Sequence, residues 1–445
     1  GIVAVVSVKQ LQRSLFVAAW LVLLTFPIMV IKVNTIEDTV QWRWMNAVYV
    51  GVGGFFLSGL WMYMMERRNR AMRRRRTRTT ESTEQAGLAD RLRDAVSVPR
   101  NRNAAVGLLA IAAVIYPFAT SMYQTNIMIS ALVYVVLGLG LNIIIGLGGM
   151  LMLGYIAFYA VGAYSYALLN FHFGLNFWLA LPVGAALGGV AGILVAVPTI
   201  HLRGDYLALV TLGFGEIVRI VLENWNDFSF GPSGIANIPR PGFFGIDMNL
   251  QTVTTYVYFI VLGLVAFTIL VVYRLEHSRI GRQWEAMKED NIACQAMGVN
   301  VAKAKLSAIG LGAVWAGMMG VVFAARTTFI NPASFTVWES IIVLCTVVLG
   351  GMGSIPGVIV GAMVLILVPE YLRAFADYRL MLFGAILVTM MVFRPGGIIQ
   401  KRRKAYTFPT EEEAPAPSAA AAGADYAAAD ARPPRDETSD EGVIR

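Results

Sequence analysis

RLEHSRIGRQWEAMKEDNIACQAMGVNVAKAK (274–305) lies between two hydrophobic runs, 254–273 and 306–326, each long enough to cross a bilayer. A hydrocarbon core of roughly 30 Å is crossed by about twenty apolar residues in a helix. A connector between two such spans needs only a few residues, so one of this length carries structure of its own. Within it, Glu285 to Met297 sets Ala286, Met287, Ala293, Ala296 and Met297 among Lys288, Glu289 and Asp290. That is an amphipathic helical pattern, and Gly298 stands where a helix stop is expected. Arg274, Arg279, Arg282, Lys288, Lys303 and Lys305 place the connector on the cytoplasmic side, where short loops retain Lys and Arg.

The rest of the chain agrees with a membrane setting. Of 445 residues 57% are hydrophobic and 14% charged, against about 25% charged in an average soluble domain. Apolar runs occur at about 14–31, 46–65, 104–120, 126–145, 150–170, 177–199, 206–222, 254–273, 306–326, 339–352, 357–372 and 379–394. The tight links at 146–150 and 353–356 either join separate spans or break membrane-embedded hairpins, so the expectation is an all-α polytopic protein with ten to twelve transmembrane helices. The basic connectors 66–103, 201–205, 274–305 and 394–404 then share one face, and both termini are expected in the cytoplasm. The first run follows Lys9 and Arg13, but no small-residue cleavage site follows it, so it is expected to be retained as a span.

The net charge of +8 and the run RRNRAMRRRR (67–76) in a soluble protein point to nucleic acid. Beside apolar spans the same charge fixes orientation and touches anionic lipid, so no nucleic-acid partner is expected. The tail after Lys404, including EEEAPAPSAAAAGAD (411–425), lacks bulky apolar residues and is expected to be disordered. Cys294 and Cys345 fall in unlike surroundings, His172, His201 and His277 are scattered, and neither set suggests a disulfide or metal site.

Catalytic constellations are not legible either. No Gly-rich phosphate loop ending in Gly-Lys-Ser/Thr occurs, so the chain is not read as an ATP-hydrolysing engine or as an enzyme. Charges inside spans are the default functional candidates, each costing about 2.5–3.5 kcal/mol at a helix centre. Glu216 and Arg219, three apart in 206–222, either pair with each other or line a pore. Glu370 and Arg373 repeat that spacing near a helix end, and Glu339 opens its span at the expected outer mouth. So few acids at mid-membrane argue against a proton- or sodium-coupled transporter. In GLGLNIIIGLGGMLMLGYIAFYAVGAY (138–164) small residues recur among large ones, allowing close helix packing or helix breaks beside a pathway. LGGM at 147–150 returns at 349–352, and Val-Gly-Ala at 161–163 returns at 360–362, a faint internal echo. The amphipathic connector helix either lies on the headgroups or fills a partner's groove, and in the second case it is how a pore receives force from a separate motor.

GLNIIIGLGGMLMLGYIAFYAVGAY (140–164), LRGDYLALVTLGFGEIVRIVLEN (202–224), GPSGIANIP (231–239), GRQWEAMKEDNIACQAMGVNVAKAKL (281–306) and VLGGMGSIPGVIVGA (348–362) together resemble the LivM permease family of branched-chain amino-acid ABC importers. The resemblance covers about 104–400; residues 1–103, with two spans and a basic loop, are similar to the N-terminal extension of longer members. It implies a core permease domain at 104–400 of LivM/LivH-type fold, and a tail at 401–445. It further implies a LivH-type permease partner, two cytoplasmic LivG- and LivF-type ATPases and a periplasmic amino-acid-binding protein, in a bacterial inner membrane. ATP would be used by the partners, with no cofactor bound by this chain.

The same resemblance makes 281–299 the coupling helix, with Arg282, Glu285, Ala286, Met287, Glu289, Asp290 and Gly298 as expected ATPase contacts. The spacing departs from the strict EAA loop of ABC permeases, and Ser229-Phe230-Gly231 stands where members often carry Thr-Gly-Gly. For a zwitterionic, aliphatic substrate the pathway needs mild polar groups beside an apolar wall, and Asn142, Tyr155, Tyr159 and Glu216 are the expected lining. Alternatives are the same scaffold importing another small polar solute, such as urea, an amide or a different amino acid, or a secondary transporter acting alone.

Overall fold

The computed structural model describes residues 99–371 apart from Arg203 and 243–248, with 31–34, 39–42, Met45 and scattered positions of 381–399. The spans expected at 14–31, 46–65 and 379–394, the basic run 67–76 and the tail after Lys404 lie wholly or largely outside these residues. The chain divides into two compact units, Gly1–Leu109 and Ala110–Arg445. In the first, β1 (Ile31–Asn34) and β2 (Thr39–Trp42) form an antiparallel hairpin with Ile31 opposite Trp42 and Asn34 opposite Thr39. Alternating Val33 and Val40 with polar neighbours suits a two-stranded ribbon.

Helices make up most of the other described residues, beside a short antiparallel pairing of Ile235–Ala236 with Phe329–Ile330: α1 (Pro99–Ala119), α2 (Met122–Asn142), α3 (Ile156–Phe173), α4 (Phe177–Thr199), α5 (Asp205–Asn224), α6 (Leu250–Glu276), α7 (Arg279–Glu289), α8 (Asn291–Ala296), α9 (Val301–Thr327), α10 (Val337–Gly350) and α11 (Ile355–Tyr371). Among the described residues five stretches are long and apolar enough to cross a membrane: Met122–Leu147, Phe177–Thr199, Leu250–Glu276, Val301–Thr327 and Pro332–Gly350. Shorter apolar helices occupy 107–119 and 355–371. The 27 residues of α9 extend roughly 40 Å at 1.5 Å per residue, so its ends lie on opposite sides of the bundle.

Two sequence expectations are corrected. The run 150–170 is not one helix: α2 widens into a π-turn at Ile143–Leu147, residues 148–155 are irregular, and α3 starts only at Ile156. Gly149 takes φ +67, and a Cβ on Gly154 would sit 1.8 Å from Thr211 O, so glycine is required at both the turn and the close approach. The buried backbone freed by this break is met by side chains, Leu153 N donating to Thr211 Oγ1 (3.2 Å) and Ile156 N to Ser340 Oγ (3.0 Å). Nor is 285–297 one helix. Asp290 leaves helical geometry (φ −151, ψ 115), ends α7 and caps α8.

The core is a sandwich of α3, α9 and α4. A Cβ on Gly162 would meet Gly317 O at 2.0 Å, one on Gly320 would meet Tyr159 O at 2.1 Å, and one on Gly188 would lie 2.7 Å from Gly317 Cα. Glycines on α4, at 184, 188 and 192, recur every four residues and so share one face. Lipid offers no hydrophobic drive between helices, so close backbone approach and dispersion hold such a sandwich together. Lys305, buried near the start of α9, donates to Ile200 O (2.6 Å) and Leu202 O (3.3 Å), satisfying carbonyls just past the end of α4.

Candidate functional site

The connector is held by its own caps and by one buried face. Ser278 Oγ accepts from Gly281 N (3.2 Å) to start α7, and Asp290 Oδ1 accepts from Ile292 N (2.7 Å) and Ala293 N (3.2 Å) to start α8. Gly298, at φ +81, stands just beyond α8 as the expected stop. Gly281, Trp284 and Met287, three apart on α7, are buried with Cys294 of α8. Trp284 is wholly buried, and its Nε1 donates to Ala304 O (3.0 Å) and Ser307 Oγ (3.1 Å).

That anchor was missed in the sequence, although a Trp three residues before Met287 in a polar segment was its signal. Of the expected contact residues, Arg282, Glu285, Ala286, Glu289, Asp290 and Gly298 are exposed, whereas Met287 is turned against the chain's own helices. Ile292 and Met297 stand 68% and 84% exposed beside Ala293 and Ala296, giving the connector a second apolar patch on its outward side.

The connector also reaches the helix break. Lys288 Nζ donates to Gly146 O (2.9 Å), in the π-turn that ends α2, a cation on a helix C-terminus. Packing there is tight, since a Cβ on Gly149 would lie 2.7 Å from Lys288 Cγ. One turn further into α2, Asn142 Oδ1 accepts from Gly353 N (2.8 Å), in the turn between α10 and α11. Both LGGM segments therefore fall at turns on the connector side of the bundle, and a single buried amide joins the two turns.

Tyr155 is wholly buried and donates to Gly312 O (2.9 Å), inside the α2–α9 contact where a Cβ on Gly140 would meet it. Tyr159 lies further along α3 in a cluster with Phe323 and Phe335. Glu216 stands apart from these three: Arg219 donates to it from Nε (2.9 Å) and Nη2, and to Glu223 from Nη1 (2.8 Å), all along α5. The three charged side chains are partly exposed, forming a polar stripe beside exposed Leu209, Ile217 and Ile220. In the loop after α5, Phe230 and Gly231 both take positive φ (62 and 56), so the position occupied by Phe230 has glycine-like geometry.

Residues 123–392 match a family described as branched-chain amino acid transport system / permease component. The chain is 42% identical over 315 residues to the high-affinity branched-chain amino acid transport system permease protein LivM of Salmonella typhimurium, covering 66% of this chain and 74% of that protein. LivM of Escherichia coli is similar to the same extent. The ribose import permease protein RbsC of Escherichia coli is 28% identical over 220 residues, 48% of this chain and 66% of that protein. No solved structure matches the chain.

Proposed function

The chain belongs to the family of branched-chain amino acid transport permease components, and on that premise we propose that it is the permease subunit of an ATP-driven importer for leucine, isoleucine and valine. It forms half of the translocation pathway with a LivH-type partner permease in a bacterial inner membrane, both termini cytoplasmic. Two cytoplasmic ATPases of LivG and LivF type and a periplasmic amino-acid-binding protein complete the assembly; ATP is used by the ATPases and no cofactor by this chain. Residues 104–400 are the transport core.

One observation carries the reading: the connector is tied by Lys288 to the break that ends α2, and that break is tied by Asn142 to the second turn at Gly353. A push on the exposed side of α7 and α8 therefore reaches two buried turns directly, without passing through flexible chain. Alternating access follows. Closure of the ATPases against Arg282, Glu285, Ala286, Glu289, Asp290 and the Ile292–Met297 patch displaces the connector. The turns at 147–150 and 349–352 move with it, and the pathway opens inward. Close backbone packing at Gly162, Gly188 and Gly317 lets α3, α4 and α9 move together as one body.

The test is to co-purify the chain with tagged ATPase subunits, reconstitute the assembly with the binding protein, and follow ATP-driven leucine uptake. Association and uptake are expected. Flux driven by an ion gradient in the chain alone identifies a secondary transporter instead. Uptake of urea, an amide or another amino acid in place of leucine, tracked by titrating the binding protein, identifies a different cargo on the same scaffold.

A further inference from the structure

At the end of the bundle away from the connector, the start of α2, the end of α9 and the start of α10 converge on a cluster of charged and aromatic side chains. Asn126, Ser130 and Tyr134 recur every four residues on α2, so neighbours in the series share a face. Arg326, in the last turn of α9, donates from Nη1 to Ser130 Oγ (2.8 Å) and from Nη2 to Asn126 O (2.9 Å). Glu339, in the first turn of α10, accepts from the Tyr134 hydroxyl. Two opposite charges are thus mounted one turn apart on α2. Each is half-buried and held by neutral groups, and among the described residues neither forms an ion pair.

Rings fill the space beside them. Tyr159, within electrostatic reach of both charges, packs on Phe323 and Phe335 with ring centroids 5.4 and 5.7 Å away. Phe323 and Phe335 stand 5.8 Å apart, and Tyr164 lies 6.0 Å from Phe335. The Tyr164 hydroxyl is buried and has no hydrogen-bond partner among the described residues. Helix polarity explains the two signs, since a cation suits the end of α9 and an anion the start of α10. It does not explain why both hang from one helix face without meeting, or why a ring cluster with an unpartnered hydroxyl adjoins them.

We infer that this cluster is a transient binding site for a zwitterionic aliphatic amino acid, its ammonium drawn to Glu339, its carboxylate to Arg326 and its side chain laid on the rings of Tyr159, Phe323 and Phe335. The inference rests on the proposed function and deepens it by placing the solute at one end of the pathway. A zwitterion neutralises both half-buried charges at once, which a solute with one charge or none cannot do. Ser130, Asn126 and Tyr134 keep each charge hydrogen-bonded when the solute leaves. Release is therefore not opposed by a stranded ion, and the hold stays weak, as a conduit requires.

The test uses the assembled transporter in nanodiscs, with Cys294 and Cys345 replaced by Ser and a reporter, Thr336→Cys, placed at the start of α10. Maleimide labelling of the reporter is followed with leucine, with isoamylamine (no carboxylate) and with 4-methylpentanoate (no amine). At leucine about ten times its apparent Kd, labelling should slow about tenfold, and neither analogue should protect at that concentration. Glu339→Gln and Arg326→Gln should each abolish the protection by leucine. Equal protection by all three compounds, no protection by leucine, or protection that survives both substitutions overturns the inference. Should either substitution fail to reach the membrane, the analogue comparison alone decides. ATP-driven leucine uptake by the same reporter protein separates the two levels: uptake without protection sinks only this site, whereas absent uptake sinks the proposed function.

Discussion

Trp284→Ala is the sharpest probe of how the connector is fastened. The indole is wholly buried and makes two hydrogen bonds, to Ala304 O and Ser307 Oγ. Removing a buried aromatic of this size costs roughly 3–5 kcal/mol, and here most of that falls on the docking of α7 and α8 rather than on the membrane-embedded helices. Cys294, buried in the same docked face, reports the opening. In a Cys345→Ser background, maleimide reaches Cys294 only when the connector lifts. If opening and closing are fast relative to labelling, the rate follows the open population.

At about 1.4 kcal/mol per factor of ten, Trp284→Ala should raise Cys294 labelling roughly a hundred- to several-thousand-fold. Trp284→Phe keeps the ring and loses the two hydrogen bonds. Ala304 O stays satisfied by the Ser307 hydroxyl (2.9 Å), so the expected loss is only about 1 kcal/mol and the acceleration about five- to tenfold. Labelling of the Ala variant within about threefold of the parent, in protein that inserts normally, would refute the view that this indole pins the connector.

Lys288→Met removes a charged hydrogen bond to Gly146 O, worth roughly 1.5–3 kcal/mol. It should lower the leucine imported per ATP hydrolysed, with Lys288→Arg less affected; an unchanged ratio argues that the link transmits nothing. Glu285→Lys and Ala286→Trp, on the exposed side of α7, should uncouple hydrolysis from uptake while leaving membrane yield intact, and normal coupling in both defeats the assignment of that face. Gly162→Leu places carbon where Gly317 O stands 2.0 Å away and should cost at least the roughly 1–3 kcal/mol of overpacking, seen as lost folded protein on size exclusion. Gly263→Ala, with nothing within 4 Å, should behave as the parent in the same assay. Truncation after Lys404 should leave leucine uptake nearly unchanged, and a severe uptake defect would show that the tail takes part.

Much of this was legible because membrane burial is one-dimensional. Apolar run length alone located α2, α4, α6 and α9, and the positions of Lys and Arg told connectors apart. The connector's length announced a docked element, and Gly298 announced its end. The break before α3 was visible only as glycine-rich sequence, because Gly148, Gly149 and Gly154 serve equally for close packing and for a non-helical turn; the neighbour at Thr211 O decides which. The division of the connector at Asp290 was hidden because a continuous amphipathic pattern and a capped pair of short helices place their apolar residues at nearly the same spacing.

By itself, then, the sequence determined which segments prefer lipid and that a polar helical element hangs between two spans, since both depend on transfer energies local to each segment. Tertiary structure alone decided that Trp284 rather than Met297 faces inward, that Lys288 meets the end of α2, that Asn142 at the end of α2 bonds Gly353, 211 positions away, and that Arg326 and Glu339 dock on one face of α2. These depend on which helices become neighbours. Residues distant in the chain fix that through small side chains, whose spacing permits an approach without naming the partner.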